Sequence, residues 1–150
     1  MSEERLREQG IELPPVAQPV ASYVPVRTGA GLAFVAGQAP LEDGKPMATG
    51  RLGAEVGLEE GQALARRCAL QALAALREEL GSLDAVKGIL SVRVFVASTE
   101  GFTDQPKVAN GASDVLVEVF GEAGKHARAA VGAPSLPLGV PVEVEVVVEI

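Results

Sequence analysis

The strict alternation that ends the 150-residue sequence, VEVEVVVEI at 142–150, constrains its fold more than any other stretch. One side of this segment carries only β-branched aliphatic residues: Val142, Val144, Val146, Val148 and Ile150. The other side carries Glu143, Glu145, Val147 and Glu149. A period of two with β-branched residues on one side is typical of a strand that buries a single face. The pattern therefore predicts a strand over 142–150 with a core face and a largely acidic face.

An arginine among alanines lies in a shorter run just before this strand. The run HARAAV at 126–131 predicts another strand, and the prolines and glycine of 134–141 belong to the loop that joins the two. Because small residues flank Arg128, its planar guanidinium is open to a carboxylate, which it can bind through two parallel hydrogen bonds. The residues alone leave two partners open, a ligand or a glutamate of the neighbouring strand. We expect His126 to be a solvent-facing strand residue.

Two helices are predicted upstream of these strands. Leu64, Cys68, Ala72 and Leu76 recur every four residues, which predicts a helix over 58–80 that packs on a sheet and places Cys68 in the core. A second helix is expected over 106–120, with a proline in its first turn.

Three shorter patterns predict the remaining strands. The run ILSVRVFV at 89–96 alternates, with Leu90 expected on the same side as Val92, Val94 and Val96. Two short runs at 23–26 and 32–36 flank a turn, TGAG, and indicate a hairpin.

The order of these elements indicates an α+β fold, with one mixed sheet and two helices packed on one face. We divide the chain into an N-terminal arm, residues 1–20 with a helical turn at 3–8, and a single domain, residues 21–150.

Composition excludes several classes of function. A net charge of −7 and 3% aromatic residues argue against binding of nucleic acid, because nucleic-acid-binding proteins usually carry basic stripes and aromatic rings that stack on bases.

No apolar run is long enough to span a membrane, and the charged start MSEER is unlike a signal peptide. The single cysteine cannot form an internal disulfide, which favours a cytoplasmic location. One histidine and one cysteine make no metal-ligand set, and we expect neither metal nor cofactor.

Two motifs carry a resemblance to a known family. The first motif consists of Arg128-x-x-Val131, then Leu136-Pro137, then VEVE at 142–145. It resembles the C-terminal signature of the Rid proteins, the reactive intermediate deaminase A-like family. Older labels for this family are YjgF and L-PSP. Tyr23 and the run GQAP at 37–40 match a tyrosine in the family's first strand and its Gly-Gln-x-Pro at the end of the second.

The resemblance implies a chorismate-mutase-like sheet, assembled as a homotrimer with its sites in the clefts between subunits. It also implies hydrolysis of enamine and imine acids such as 2-aminoacrylate to 2-keto acids and ammonia. In the family the matching arginine binds the substrate carboxylate, so Arg128 is the expected anchor. Glu143, facing it from the final strand, would be beside the attacking water. Tyr23, the backbone N–H of Gly37, Asn110 and Ala130 would complete the ligand site.

The sequence also departs from the family pattern. Ala130 stands where the family commonly has a cysteine, and Ala36 stands where a serine or threonine often precedes the glycine. Three functions therefore stay open: the deaminase, a trimer that binds carboxylate metabolites without turnover, and the endoribonuclease of the older labels. The acidic composition and the single histidine argue against the endoribonuclease.

Overall fold

A five-stranded sheet and two long helices form the fold in the computed structural model, which describes residues 1–150. The helices are α1 (Ser2–Glu8), α2 (Leu58–Leu80) and α3 (Gln105–Phe120). The strands are β1 (Val26–Gly29), β2 (Leu32–Gln38), β3 (Leu41–Glu42), β4 (Lys45–Pro46), β5 (Gly88–Ala97), β6 (Ala127–Ala133) and β7 (Val142–Glu149). No helix combines the length and the apolar composition that crossing a bilayer requires.

The last strand of the chain is the central strand of the sheet. The order is β1-β2-β7-β5-β6, with β5 and β6 parallel and every other neighbouring pair antiparallel, while β3 and β4 form a separate small ribbon. Val146 of β7 is paired with Val35 on one side and Val92 on the other. The predicted α+β fold, built on one mixed sheet with two long helices, is confirmed.

The valine side of β7 is the centre of the core. Val142, Val144, Val146 and Val148 are all fully buried, and α2 packs across this strand. Each buried valine contributes roughly 1.5–3 kcal/mol relative to an exposed one, so this side of one strand contributes a large share of the burial energy. The predicted division of the strand into a core face and an acidic face is confirmed.

Two details of the predicted strands are wrong. A register shift between Ile89 and Ser91 moves Ile89 into the core, at 2% exposed, and leaves Leu90 outside it, at 41% exposed. Such a bulge reverses the alternation for the residues before it. Tyr23 precedes β1 instead of lying in it, because Pro25 has no N–H for a ladder and pairing begins at Val26.

The predicted helical turn in the N-terminal arm is present as α1, and it is attached firmly to the rest of the protein. Leu6 is buried as part of the hydrophobic core, and α1 packs against α3. The Glu3 carboxylate accepts hydrogen bonds from Arg77 at 2.8 and 3.1 Å and from the Leu83 N–H at 2.9 Å. Burial alone would raise the pKa of Glu3, but these donors together hold it below its usual value.

Candidate functional site

Three of the predicted site residues line one cleft. Tyr23, Gly37 and Glu143 lie around a cavity of about 890 Å³, together with Ala36 and the turn at Leu138. The cleft lies where β2 ends against the central strand.

Close packing of Gly37 on Glu143 shapes the wall of this cleft. The register of β2 against β7 shifts between Val35 and Gln38, so β2 carries one extra residue at this point. A Cβ on Gly37 would overlap the Oε1 atom of Glu143 and lie 3.2 Å from its Cδ atom. Glycine at this position therefore leaves room for the Glu143 carboxylate where it now lies.

Glu143 is the group in the cleft best suited to move a proton. It is half-buried on the acidic side of β7, and its burial raises the pKa of the carboxyl, with a smaller contribution from the negative charge of Glu145. A carboxylate with a raised pKa is a stronger base than an exposed one, which suits it to deprotonate water.

A buried glutamine that the sequence reasoning missed holds the loop after β2. Gln71 of α2 accepts the Leu41 N–H at 3.0 Å and Arg67 Nε at 3.1 Å, and it donates to the Ala39 carbonyl at 2.7 Å. These bonds fasten the segment that follows Gly37 to the helix. A signal was available, since Gln71 follows Cys68 by three residues and is a polar residue on the apolar stripe of α2.

The other three predicted residues lie on α3 and β6, at what we call the arginine edge: Asn110, Arg128 and Ala130. Arg128 Nη1 donates to Asn110 Oδ1 at 2.8 Å and to Ser113 Oγ at 3.1 Å, and its Nη2 donates to the Pro106 carbonyl at 3.3 Å. Ala130 lies two residues along the same strand face and packs partly against the core.

Arg128 has no carboxylate partner in the chain. No Asp or Glu oxygen lies within 4.0 Å of its guanidinium. Glu145, one of the glutamates proposed to pair with it, contacts Arg93 at 3.5 Å instead. The interpretation of Arg128 as a sheet arginine neutralised by a strand glutamate is therefore wrong. Its positive charge remains available at an exposed edge of the protein.

His126 was expected to face solvent, and that expectation is also wrong. The residue just precedes β6 and is partly buried. Its Nε2 atom lies 2.9 Å from Ser113 Oγ and its Nδ1 atom lies 2.6 Å from the Gly124 carbonyl oxygen.

Within one chain, Arg128 and Glu143 do not face each other. Arg128 is paired with Val92, whose side chain points into the core beneath the helices, whereas Glu143 is paired with Phe95 and points to the opposite face. Strand β5 also separates the two strands that carry them. Side chains alternate strictly across a sheet, so no rotation of either side chain brings the arginine and the glutamate together.

Other reactive groups supply no alternative centre. Cys68 is fully buried, as predicted, and its burial raises the pKa of the thiol, which disfavours the nucleophilic thiolate. No three His, Cys, Asp or Glu side chains are grouped as a metal site would need.

The mixed sheet, with both long helices on one face and a cleft at the end of its central strand, defines a chorismate-mutase-like α+β protein. The family model described as "YjgF/chorismate_mutase-like, putative endoribonuclease" matches residues 3–150. The chain belongs to this family, as the resemblance to the Rid proteins predicted.

Individual relatives match over nearly the whole chain. Protein TCP17 of Trypanosoma cruzi is 47% identical over 146 residues, which cover 97% of this chain and 91% of that protein. A Shewanella oneidensis structure described as "a putative endoribonuclease" is 35% identical with a TM-score of 0.95, covering 100% of this chain and 99% of that one. Protein Atu1372 of Agrobacterium tumefaciens, of unknown function, is 41% identical with a TM-score of 0.89, covering 99% and 91%.

Proposed function

We propose that the protein is an enamine/imine deaminase that hydrolyses 2-aminoacrylate-type acids to 2-keto acids and ammonia, in sites shared between subunits of a homotrimer. The observation that carries the proposal is the division of the candidate residues into two complementary halves. One half is the cleft with Glu143, and the other is the arginine edge with its unneutralised cation. Because the two halves lie on opposite faces of one sheet, a second chain has to supply the missing half.

The uncovered face of the sheet supports assembly. Phe34 is 51% exposed and Val131 is 47% exposed on the face opposite the helices. Ala127 and Ala129 of the edge strand are exposed there too. Exposed apolar residues on a sheet face without a covering layer favour self-association, and closed symmetry is the usual outcome. The proposed shared site requires that this assembly also bring the arginine edge of one chain to the cleft of the next.

The proposed reaction begins with the imine form of the substrate, a 2-imino acid. Arg128 binds the carboxylate, which orients the neighbouring C=N bond toward the cleft. Glu143 takes a proton from water as the water oxygen bonds to the imine carbon, the C=N electron pair moves to nitrogen, and the nitrogen receives the proton that Glu143 took. The resulting carbinolamine then loses ammonia as its hydroxyl oxygen forms the C=O bond and gives up its proton. One imine and one water become one 2-keto acid and one ammonia.

Binding without turnover is the second candidate. Ala36 lines the cleft and Ala130 lies beside the arginine, so two positions that are often polar in the family carry methyl groups here. Loss of both polar groups leaves the arginine and the backbone contacts in place while removing donors that could assist proton transfer. A trimer that binds 2-keto acids without turnover would follow.

Cleavage of RNA is not supported by the site. The chain has a net charge of −7, and both ring nitrogens of its one histidine already have partners. A ribonuclease site needs cationic groups along the phosphates and a free acid–base pair.

Ammonia release from freshly generated 2-iminopropanoate tests the proposal directly. We expect turnover by the natural protein and a loss of about 100-fold or more in Glu143→Gln, which removes the base. Glu149→Gln is the matched control, because Glu149 is an exposed glutamate of the same strand outside the cleft. Tight binding of 2-oxobutanoate with no ammonia release would establish the binding function instead. Release unaffected by Glu143→Gln would refute the assigned base.

A further inference from the structure

A chain of hydrogen bonds behind Arg128 connects it to the one histidine. Arg128 Nη1 donates to Ser113 Oγ at 3.1 Å, Ser113 Oγ lies 2.9 Å from His126 Nε2, and His126 Nδ1 lies 2.6 Å from the Gly124 carbonyl. Neither Ser113 nor His126 has a role in the reaction proposed above.

The direction of every bond in this chain can be assigned. A backbone carbonyl only accepts, so His126 Nδ1 must carry the proton that it donates to Gly124. In the neutral ring Nε2 is then an acceptor, and the Ser113 hydroxyl donates its hydrogen to it. The lone pairs of Ser113 Oγ are left facing Arg128, which has hydrogens to donate. Because arginine only donates, Ser113 Oγ accepts from Nη1 while its own hydrogen is directed to His126 Nε2, and the histidine thereby fixes the orientation of the serine hydroxyl.

The acceptors that hold the guanidinium are all neutral. Asn110 Oδ1, Ser113 Oγ and the Pro106 carbonyl together receive three of its N–H groups. A guanidinium has five such donors, so Nε–H and one Nη2–H remain without a partner in the chain. Neutral acceptors orient the group without cancelling its charge, whereas a carboxylate in their place would compete with an acidic ligand.

We infer that Ser113 and His126 are positioning residues that fix the guanidinium of Arg128 through Nη1 and so present its Nε and Nη2 donors to a ligand carboxylate. The inference rests on the proposed function for the identity of the ligand, a 2-keto or 2-imino acid. The ordering of the arginine is a property of the free protein. Ser113 and His126 act through Arg128 and do not touch the ligand.

Removal of either residue should loosen the arginine and weaken carboxylate binding. In Ser113→Ala and in His126→Phe we expect the affinity for 2-oxobutanoate to fall about three- to tenfold, as for loss of one hydrogen bond. The double variant should lose no more than about the larger single effect, since both residues act through one chain. Ser113→Thr keeps the hydroxyl and should restore most of the affinity. Ser82→Ala, at a helix cap remote from the arginine edge, is the matched control.

Nuclear magnetic resonance of the Arg128 Nε–H group tests the positioning without any ligand. We expect an ordered side-chain signal in the natural protein and in Ser113→Thr, and a mobile one in Ser113→Ala and His126→Phe. An equally ordered signal in all four proteins would overturn the inference, as would additive losses of affinity in the double variant. If Arg128→Ala binds 2-oxobutanoate as well as the natural protein does, the proposed function fails. In that case the mobility of the Arg128 Nε–H group, measured without ligand, still shows whether Ser113 and His126 position the arginine.

Discussion

Gly37→Ala is the substitution that most sharply tests how the cleft works. The added Cβ would overlap Glu143 Oε1 and lie 3.2 Å from Cδ, so the carboxylate has to move away from its present place. The obstructed atoms are the far end of a flexible side chain, and Gly37 does not have a positive φ. The backbone can therefore accept alanine, and the strain falls on the position of Glu143.

The expected effect on stability is small and the expected effect on turnover is large. A glutamate displaced into a poor rotamer costs about 0.5–1.5 kcal/mol. Replacing glycine by alanine returns about 0.4–1 kcal/mol by restricting the unfolded chain. The free energy of unfolding should thus change by less than about 1 kcal/mol. Displacement of a catalytic carboxylate by about 1 Å lowers turnover about 100-fold, or about 2.7 kcal/mol in activation free energy.

Two measurements on four proteins check this reasoning. Urea unfolding gives stability, and ammonia release from 2-iminopropanoate gives turnover, for the natural protein, Gly37→Ala, Glu143→Ala and the double variant. In the Glu143→Ala background the added methyl meets no carboxylate, so Gly37→Ala should there have no further effect on turnover and should stabilise slightly. Natural turnover in Gly37→Ala would refute the steric account. An equal loss of stability in both backgrounds would show that Gly37 matters only for ending β2.

Four further outcomes are expected. Arg128→Lys keeps the positive charge but loses the planar pair of donors, so it should weaken 2-oxobutanoate binding without changing the melting temperature. Arg128→Ala should lose roughly 2–4 kcal/mol of apparent transition-state binding. A lower melting temperature with unchanged affinity in these variants would contradict the assignment of Arg128. Light scattering should give three times the 15.4 kDa chain mass, and a stable monomer at micromolar concentration would contradict the shared site. RNA cleavage should be absent after purification, and cleavage that co-elutes and disappears in Arg128→Ala would overturn that expectation. The pKa of Glu3 is lowered in the folded state, so its stabilising effect should be present above the unfolded pKa of about 4.3 and be lost as pH falls through the folded value. Glu3→Gln should therefore lower the unfolding free energy at pH 7, and the difference between the two proteins should shrink as the pH is lowered.

Periodicity predicted the elements of the fold but not their arrangement in space. The helix over 58–80 and the two faces of the final strand follow from repeats of four and of two, which are local properties of the sequence. The central place of β7 depends on pairing with strands far away along the chain, and no local repeat encodes it. The bulge at Leu90 was missed for a related reason, since alternation looks unbroken in the sequence when the extra residue is itself apolar.

In the candidate site, too, the sequence predicts the identity of the residues, whereas their positions in space depend on the tertiary fold. Motif resemblance named the candidate residues, yet their grouping into two halves depends on which face of the sheet each side chain occupies. The contact between Ser113 and His126 joins a helix to the start of a strand, and only the packing of α3 against β6 brings them within 2.9 Å. A polar residue in the apolar stripe of α2, Gln71, was the one missed contributor that the sequence could have revealed.

The central place of β7 also bears on how the protein is made. Both of its neighbours, β2 and β5, are synthesised earlier and must wait for the eight residues of β7 before either can pair on that side. Until then a nascent chain presents two unpaired apolar edges, which are templates for association with other chains. The five-stranded sheet therefore cannot be completed until β7 has been synthesised. Deletion of β7 would leave two separate fragments of sheet, and the shortened product should be degraded or aggregate instead of accumulating as a partly active protein.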